Sequence, residues 1–132
     1  VLKSAVIDKR ADELIEEFDV RTQGAAAPVS SLSGGNKQKV VMAREMSREL
    51  RVLVASQPTR GVDVGSIEFL HKRIVSERER GAAVLIISSE LDEIYALSDR
   101  IAVMYRGAII GVVGPDTSRD EMGLLMAGVT ND

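Results

Sequence analysis

The sequence predicts an α/β fold, helices packed on a sheet whose central strands run parallel. Three observations lead there. Short runs of Val, Leu and Ile alternate with longer amphipathic stretches along the chain, the pattern of helices covering a mainly parallel sheet. The 132 residues fit one domain of ordinary size. Hydrophobic residues make up 45% and charged residues 28%, a globular balance rather than a disordered one. With two Phe, two Tyr and no Trp, the core has to be built from Val, Leu, Ile, Ala and Met.

Residues 4–18 read as a helix with Ala5, Ile7, Ala11, Leu14, Ile15 and Phe18 on one face. Residues 23–31, rich in Gly, Ala, Pro and Ser, read as a loop. A second helix opens at Ser33 and runs to about Arg48, with Val40, Ala43, Met46 and Leu50 as its buried stripe. Val52 to Ala55 is a short run of β-type residues, best read as a buried strand, and residues 57–61 break it into a loop. A long helix follows from about Gly65 to Arg80 with Ile67, Leu70 and Ile74 inward. Ala82 to Ser88 is the clearest strand. Ser89 is placed to cap a short helix on which Leu91, Ile94 and Tyr95 share a face, with Asp92 three residues past the cap. Residues 101–105 and 108–113 form a hairpin turning at Arg106-Gly107. Ser118 to Glu121 has the form of a capping box for a last helix ending near Gly128. No internal repeat interrupts this order.

Composition excludes several classes of function. A net charge of −3 with scattered Lys and Arg offers no electrostatic footprint for DNA or RNA. The absence of Cys removes disulfides, thiolate metal sites and thiol catalysis, which suits a reducing cytoplasm. No apolar run approaches the roughly 20 residues that span a bilayer, and no signal peptide opens the chain. The sequence starts Val1-Leu2-Lys3 without an initiator Met, so we expect an excised piece of a longer protein. His71 reads as a surface or boundary residue on a helix. Met42, Met46, Met104, Met122 and Met126 read as core filler rather than a thioether metal site. The run from Glu77 to Arg80 reads as a solvated helix end.

The most informative stretch is Leu32-Ser33-Gly34-Gly35-Asn36-Lys37-Gln38. Two glycines allow a backbone to approach a ligand, and the helix behind them aims its first N–H groups and positive dipole end at the same place. Those residues alone are equally consistent with an ordinary Ser-Gly-Gly turn capping a helix. One helix later, Val52 to Thr59 has the form of an apolar strand ending in two polar residues and Pro-Thr.

Here the sequence resembles the ABC-transporter ATPases, whose signature Leu-Ser-Gly-Gly-Gln precedes a Walker B strand ending Asp-Glu-Pro-Thr. The resemblance continues through Gly61-Val62-Asp63 at the D-loop, Ser88-Ser89-Glu90-Leu91 at the switch region and Asp99 to Met104, in family order over essentially the whole chain. Pro58 to Gly65 and Ser88 to Ile94 place the likeness with the second nucleotide-binding half of tandem ATPases serving simple-sugar and nucleoside importers. It implies the C-terminal part of a P-loop NTPase (RecA-like) core carrying the signature-motif helix, with the phosphate-loop strand missing. Residues 1–50 would close the helical subdomain and hold the signature helix, and residues 51–132 would form the C-terminal part of the ATPase core.

The departures from the family pattern matter as much as the matches. Pro58-Thr59 fixes the register, so Ser56 stands at the Mg²⁺-organising Asp and Gln57 at the Glu that polarises water. A serine brings no charge, and a glutamine can hold a water but cannot accept its proton. Ser89 stands at the switch histidine and cannot replace imidazole. No catalytic position is therefore intact, and no metal site is expected from these residues. The phosphate loop Gly-x-x-x-x-Gly-Lys-Ser/Thr occurs nowhere in the sequence, which we attribute to truncation.

The resemblance implies a head-to-tail pair of nucleotide-binding halves in which Ser33, Gly34, Gly35 and Asn36 complete the partner's ATP site. Asn36 stands at the Gln position, and its amide, shorter by one methylene, is expected to be tolerated. ATP and Mg²⁺ belong to the full-length dimer, with none expected on this chain alone. The implied partners are the other nucleotide-binding half, membrane permease subunits and, indirectly, a substrate-binding protein, at the cytoplasmic face of the plasma membrane; no nucleic acid is implied. Lacking the strand expected between 83–88 and 101–105, the isolated chain should expose sheet edges and self-associate or rearrange locally. A non-transport ABC protein and a plain dimerisation module are the alternative readings.

Overall fold

The alternation read from the sequence becomes five helices and four strands in the computed structural model, which describes residues 3–130. The chain divides after Ile87 into two compact units.

In the first unit, helix α1 (Ser4–Glu17) leads into Phe18, which is fully buried. Leu14 and Ile15 pack against the core around Phe18, but Ala5 and Ile7 are exposed. The expected apolar face thus works only in the last turns, where the helix reaches that core. Asp19 ends it in the left-handed region, φ 47°. Helix α2 (Gly34–Met46) is capped by Ser33, whose hydroxyl accepts the Asn36 N–H. Its buried face is Gly35, Lys39, Met42, Ala43 and Met46. Val40 and Leu50, expected inside, are only partly buried, because the true stripe is centred on 35, 39, 42 and 46 and carries a lysine at a core position.

Strand β1 (Val52–Ser56) pairs in parallel with β2 (Ala83–Ile87), Val52 opposite Ala83 and Ser56 opposite Ile87. The parallel pairing requires a crossover, and α3 (Val64–Glu79) supplies it, with Leu70 and Ile74 buried and Ile67 half-buried as expected. The strands are not buried on both faces. Leu53 and Ala55 point into the core with Val84 and Ile86, while Val52, Val54, Leu85 and Ile87 lie 62%, 59%, 55% and 49% exposed on the other face. Helices cover one face only among the described residues, so the reading of fully buried strands is corrected. Gly81, at φ 97°, turns the chain from α3 into β2.

The second unit opens with α4 (Leu91–Leu97). Ser89 does not cap it: Glu90 holds the N-cap position without a side-chain cap. The hydroxyl of Ser88 instead accepts the Glu90 N–H at 3.0 Å, a local turn that forms before the helix begins. Leu91, Ile94 and Tyr95 do share one face, packed against Ile101, Val103 and Met122. Strands β3 (Ile101–Tyr105) and β4 (Ala108–Val113) form the expected antiparallel hairpin. Arg106 at φ 47° and Gly107 at φ 83° make its two-residue turn, both left-handed as the twist of a tight hairpin requires. Helix α5 (Arg119–Met126) is capped by Ser118, which accepts the Glu121 N–H at 3.2 Å, and the chain turns out of it at Gly128. Met42, Met46 and Met122 are core residues, but Met104 and Met126 are 64% and 46% exposed, so the filler reading fails for those two. The strands thus form two separate two-stranded sheets rather than one continuous sheet. No described helix is long and apolar enough to cross a membrane.

Candidate nucleotide-contacting site

The head of α2 gathers most of the residues singled out in the sequence. Ser33 and Gly34 are exposed, Asn36 is half-buried and Gly35 is buried. Gly35 is buried because the start of α3 lies against it. A β-carbon there would sit 2.6 Å from Asp63 Oδ1 and 2.9 Å from Ser66 Oγ. At Gly34 a β-carbon would come within 3.1 Å of the Gly61 carbonyl oxygen. The close approach expected between these glycines and a ligand is, for Gly35, a close approach to Asp63 and Ser66 at the start of α3. Two motifs separated in sequence therefore meet: Ser33 to Asn36 with Gly61 to Asp63.

Asp63 caps α3, accepting the Ser66 N–H at 3.0 Å. That bond, followed by one from the Ser66 hydroxyl, holds the Asp63 carboxyl below its ordinary range. Val62 is half-buried, its N–H bonded to the Thr59 carbonyl at 3.1 Å.

Beneath this turn lies a residue that sequence reasoning missed. The Lys39 side chain is 5% exposed, and its Nζ donates to the Asp19 carbonyl at 3.0 Å and to Asp19 Oδ2 at 3.1 Å. It also lies over the Phe69 ring, 4.9 Å from the centroid. One ammonium thus joins the end of α1, the middle of α2 and a ring on α3. The available signal was positional: a lysine one turn after Gly35 and one turn before Met42 and Ala43, on the face those residues share. Arg21, fifteen residues before Asn36, had no such signal; its N–H donates to Asn36 Oδ1 at 2.8 Å.

The end of β1 is built differently. Ser56 is exposed, and Gln57 adopts φ 50° with its N–H donated to the Ile87 carbonyl at 2.7 Å. Pro58 and Thr59 behind it are buried. Ser56 and Gln57 supply only neutral oxygens and an amide, and the run from Val52 to Thr59 contains no carboxylate. No cluster of three or more metal-binding side chains occurs among the described residues. Ser89 lies in the second unit, exposed, directly before the residue that opens α4.

A parallel strand pair is crossed by a capped helix, with a Ser-Gly-Gly turn at the head of the preceding helix, as expected of part of an ABC ATPase cassette. Solved structures agree. The chain superposes with a TM-score of 0.74 on a dimeric ATP-binding cassette in a post-hydrolysis state bound to ADP and Pi, at 21% identity, covering 89% of this chain and 51% of that one. It superposes at 0.75 on the ATP-binding subunit of an ABC transporter, at 20% identity over 96% of this chain and 56% of that one.

Sequence relatives narrow the class. The chain is 55% identical over 123 residues to the nucleoside import ATP-binding protein NupA of Lactococcus lactis, covering 92% of this chain. It is 51% identical over 131 residues to the guanosine import ATP-binding protein NupO of Bacillus subtilis, and 42% over 122 residues to a ribose import ATP-binding protein of Agrobacterium fabrum. The chain belongs to the ABC ATPases, and these relatives are import ATP-binding proteins for nucleosides and sugars. It spans about a quarter of the length of these relatives, 24% to 26%. No family model matches the chain.

Proposed function

We propose that the chain is the C-terminal part of the second nucleotide-binding half of a tandem importer ATPase for simple sugars or nucleosides. On this reading residues 1–50 finish the helical subdomain and carry the signature helix, and residues 51–132 belong to the ATPase core. Its chemical task is to complete a partner's ATP site in trans. Ser33 and the first N–H groups of α2 stand at the positive end of a 13-residue helix, where the unpaired donors of the first turn favour an anionic oxygen. Gly61, Val62 and Asp63 hold that turn from below. Asn36 belongs to the same turn through its bond to Ser33.

The chain's own hydrolytic side is degenerate. Gln57 can hold a water through its amide but cannot take its proton, Ser56 brings no charge, and Ser89 brings no imidazole. Bound ATP would supply the reacting phosphate, with Mg²⁺ accompanying it, but Ser56 and Gln57 at the end of β1 do not fit that ion. Closure of the two halves on ATP would drive permease subunits at the cytoplasmic face of the membrane, which a substrate-binding protein feeds from the other side.

One observation carries the reading: within a single unit, the signature turn is fully formed and capped while the strand end that should carry acids has none. Titration calorimetry of the isolated chain with Mg-ATP tests it. Contact in trans without a phosphate loop predicts no saturable binding in the micromolar range. Micromolar affinity would mean that these residues hold nucleotide unaided, against the proposal.

A further inference from the structure

The side-chain amide of Asn36 is held at both ends. The Arg21 backbone N–H can only donate, so the atom facing it at 2.8 Å is the carbonyl Oδ1. That choice turns Nδ2 toward Ser33, whose Oγ it reaches at 2.9 Å. The backbone N–H of Asn36 donates to the same oxygen at 3.3 Å. A serine oxygen has two lone pairs and one proton. With both lone pairs engaged by Asn36, the proton is what Ser33 has left to offer, and Ser33 is exposed.

We propose that Asn36 is a positioning residue: it presets the Ser33 hydroxyl as an outward hydrogen-bond donor, one that only an acceptor such as a phosphate oxygen can meet, and it does not touch the nucleotide itself. The assignment rests on the trans contact of Ser33 proposed above. It also changes the standing of Asn at the family's Gln position. The shorter amide is not merely tolerated, because its length lets one group span the Arg21 N–H and the Ser33 oxygen at once.

The test is a double-mutant cycle in the full-length subunit assembled with its partner half and permease, read by ATP KM, kcat and thermal unfolding. Ser33→Ala removes the donor and raises ATP KM roughly tenfold or more, the loss of a hydrogen bond to a charged group. Asn36→Ala raises KM by a comparable factor, with kcat changed far less. The double variant Ser33→Ala/Asn36→Ala is then no worse than Ser33→Ala alone, because Asn36 acts through the hydroxyl. Asn36→Asp keeps an acceptor for Arg21 and so keeps the fold, yet pulls the Ser33 proton inward. It raises KM without lowering the unfolding temperature, a split that a purely structural role would not give. Additive effects in the cycle overturn the positioning role while leaving the trans contact intact. A Ser33→Ala variant with unchanged KM overturns the trans contact, and the positioning role with it.

Discussion

Two loops of the first unit face the same chemistry in the family and are built here to opposite standards. At the head of α2, each group is tied: Ser33 to Asn36, Asn36 to Arg21, Gly35 against Asp63, and Lys39 beneath to Asp19 and Phe69. At the end of β1, Ser56 is exposed and neutral, and Gln57 follows with a left-handed backbone. Geometry has been kept at both places, since Gln57 still closes the strand through the Ile87 carbonyl. A carboxylate, Asp63, lies against the first turn, while Ser56 and Gln57 are both neutral. The difference teaches that two neighbouring loops can share a well-bonded backbone while only one of them carries a web of side-chain contacts.

The largest expected effect concerns the uncovered faces of the two sheets. Val52, Val54, Leu85 and Ile87 form an uncovered apolar face in the first unit, and Met104, Ile109 and Val112 are each more than half exposed in the second. Contiguous apolar surface of this kind is rarely left to water. The isolated chain is expected to associate in a concentration-dependent way in sedimentation velocity at tens of micromolar, and Val54→Lys with Leu85→Lys should return it to monomer. A strict monomer over that range would show that the faces find cover within one molecule.

A smaller effect sharpens the account of the wired loop. Lys39 is buried but its partner Asp19 is 61% exposed, so the two ends of the pair are unequal. Asp19→Ala leaves a buried ammonium with one carbonyl partner and is expected to cost about 2 kcal/mol in chemical denaturation. Lys39→Met removes the charge, fills similar volume and lets Asp19 rehydrate, at a cost of about 1 kcal/mol or less. The reverse order would mean that Lys39 stabilises through its stacking on Phe69 rather than through the ion pair.

Most of the element order was legible because it is written in local signals. Ser33 and Ser118 cap as short polar residues at helix starts do, and Arg106-Gly107 turns as its φ values demand. Ser89 misled because the helix begins one residue later than read: Glu90 holds the N-cap position, and the Ser88 hydroxyl accepts the Glu90 N–H in a turn ahead of it. Burial was less legible, since it depends on what covers a face. The alternation in β1 is invisible in a run of apolar residues and appears only once helices are placed on one side. Lys39 was missed for a related reason: a charge in a core stripe is readable only when its partner, twenty residues away, is known. The glycines were assigned to a ligand, and for Gly35 the crowding turned out to be with Asp63 and Ser66. Gly35→Asp is therefore a poor probe of nucleotide contact, because it would disturb the start of α3 as well.

Ser33→Ala and Gln57→Ala compare the two loops without that complication, because neither substitution adds bulk. The measurement is steady-state ATP hydrolysis of each variant in the assembled transporter with its binding protein, taken as kcat/KM. Loss of a charged-group hydrogen bond at the signature turn predicts a fall of roughly tenfold or more for Ser33→Ala. Gln57→Ala should stay within about twofold of the parent, because a position that cannot accept a proton has little catalysis left to lose. A Gln57→Ala variant as damaged as Ser33→Ala would contradict the account, and would give the end of β1 a catalytic role despite its missing acids.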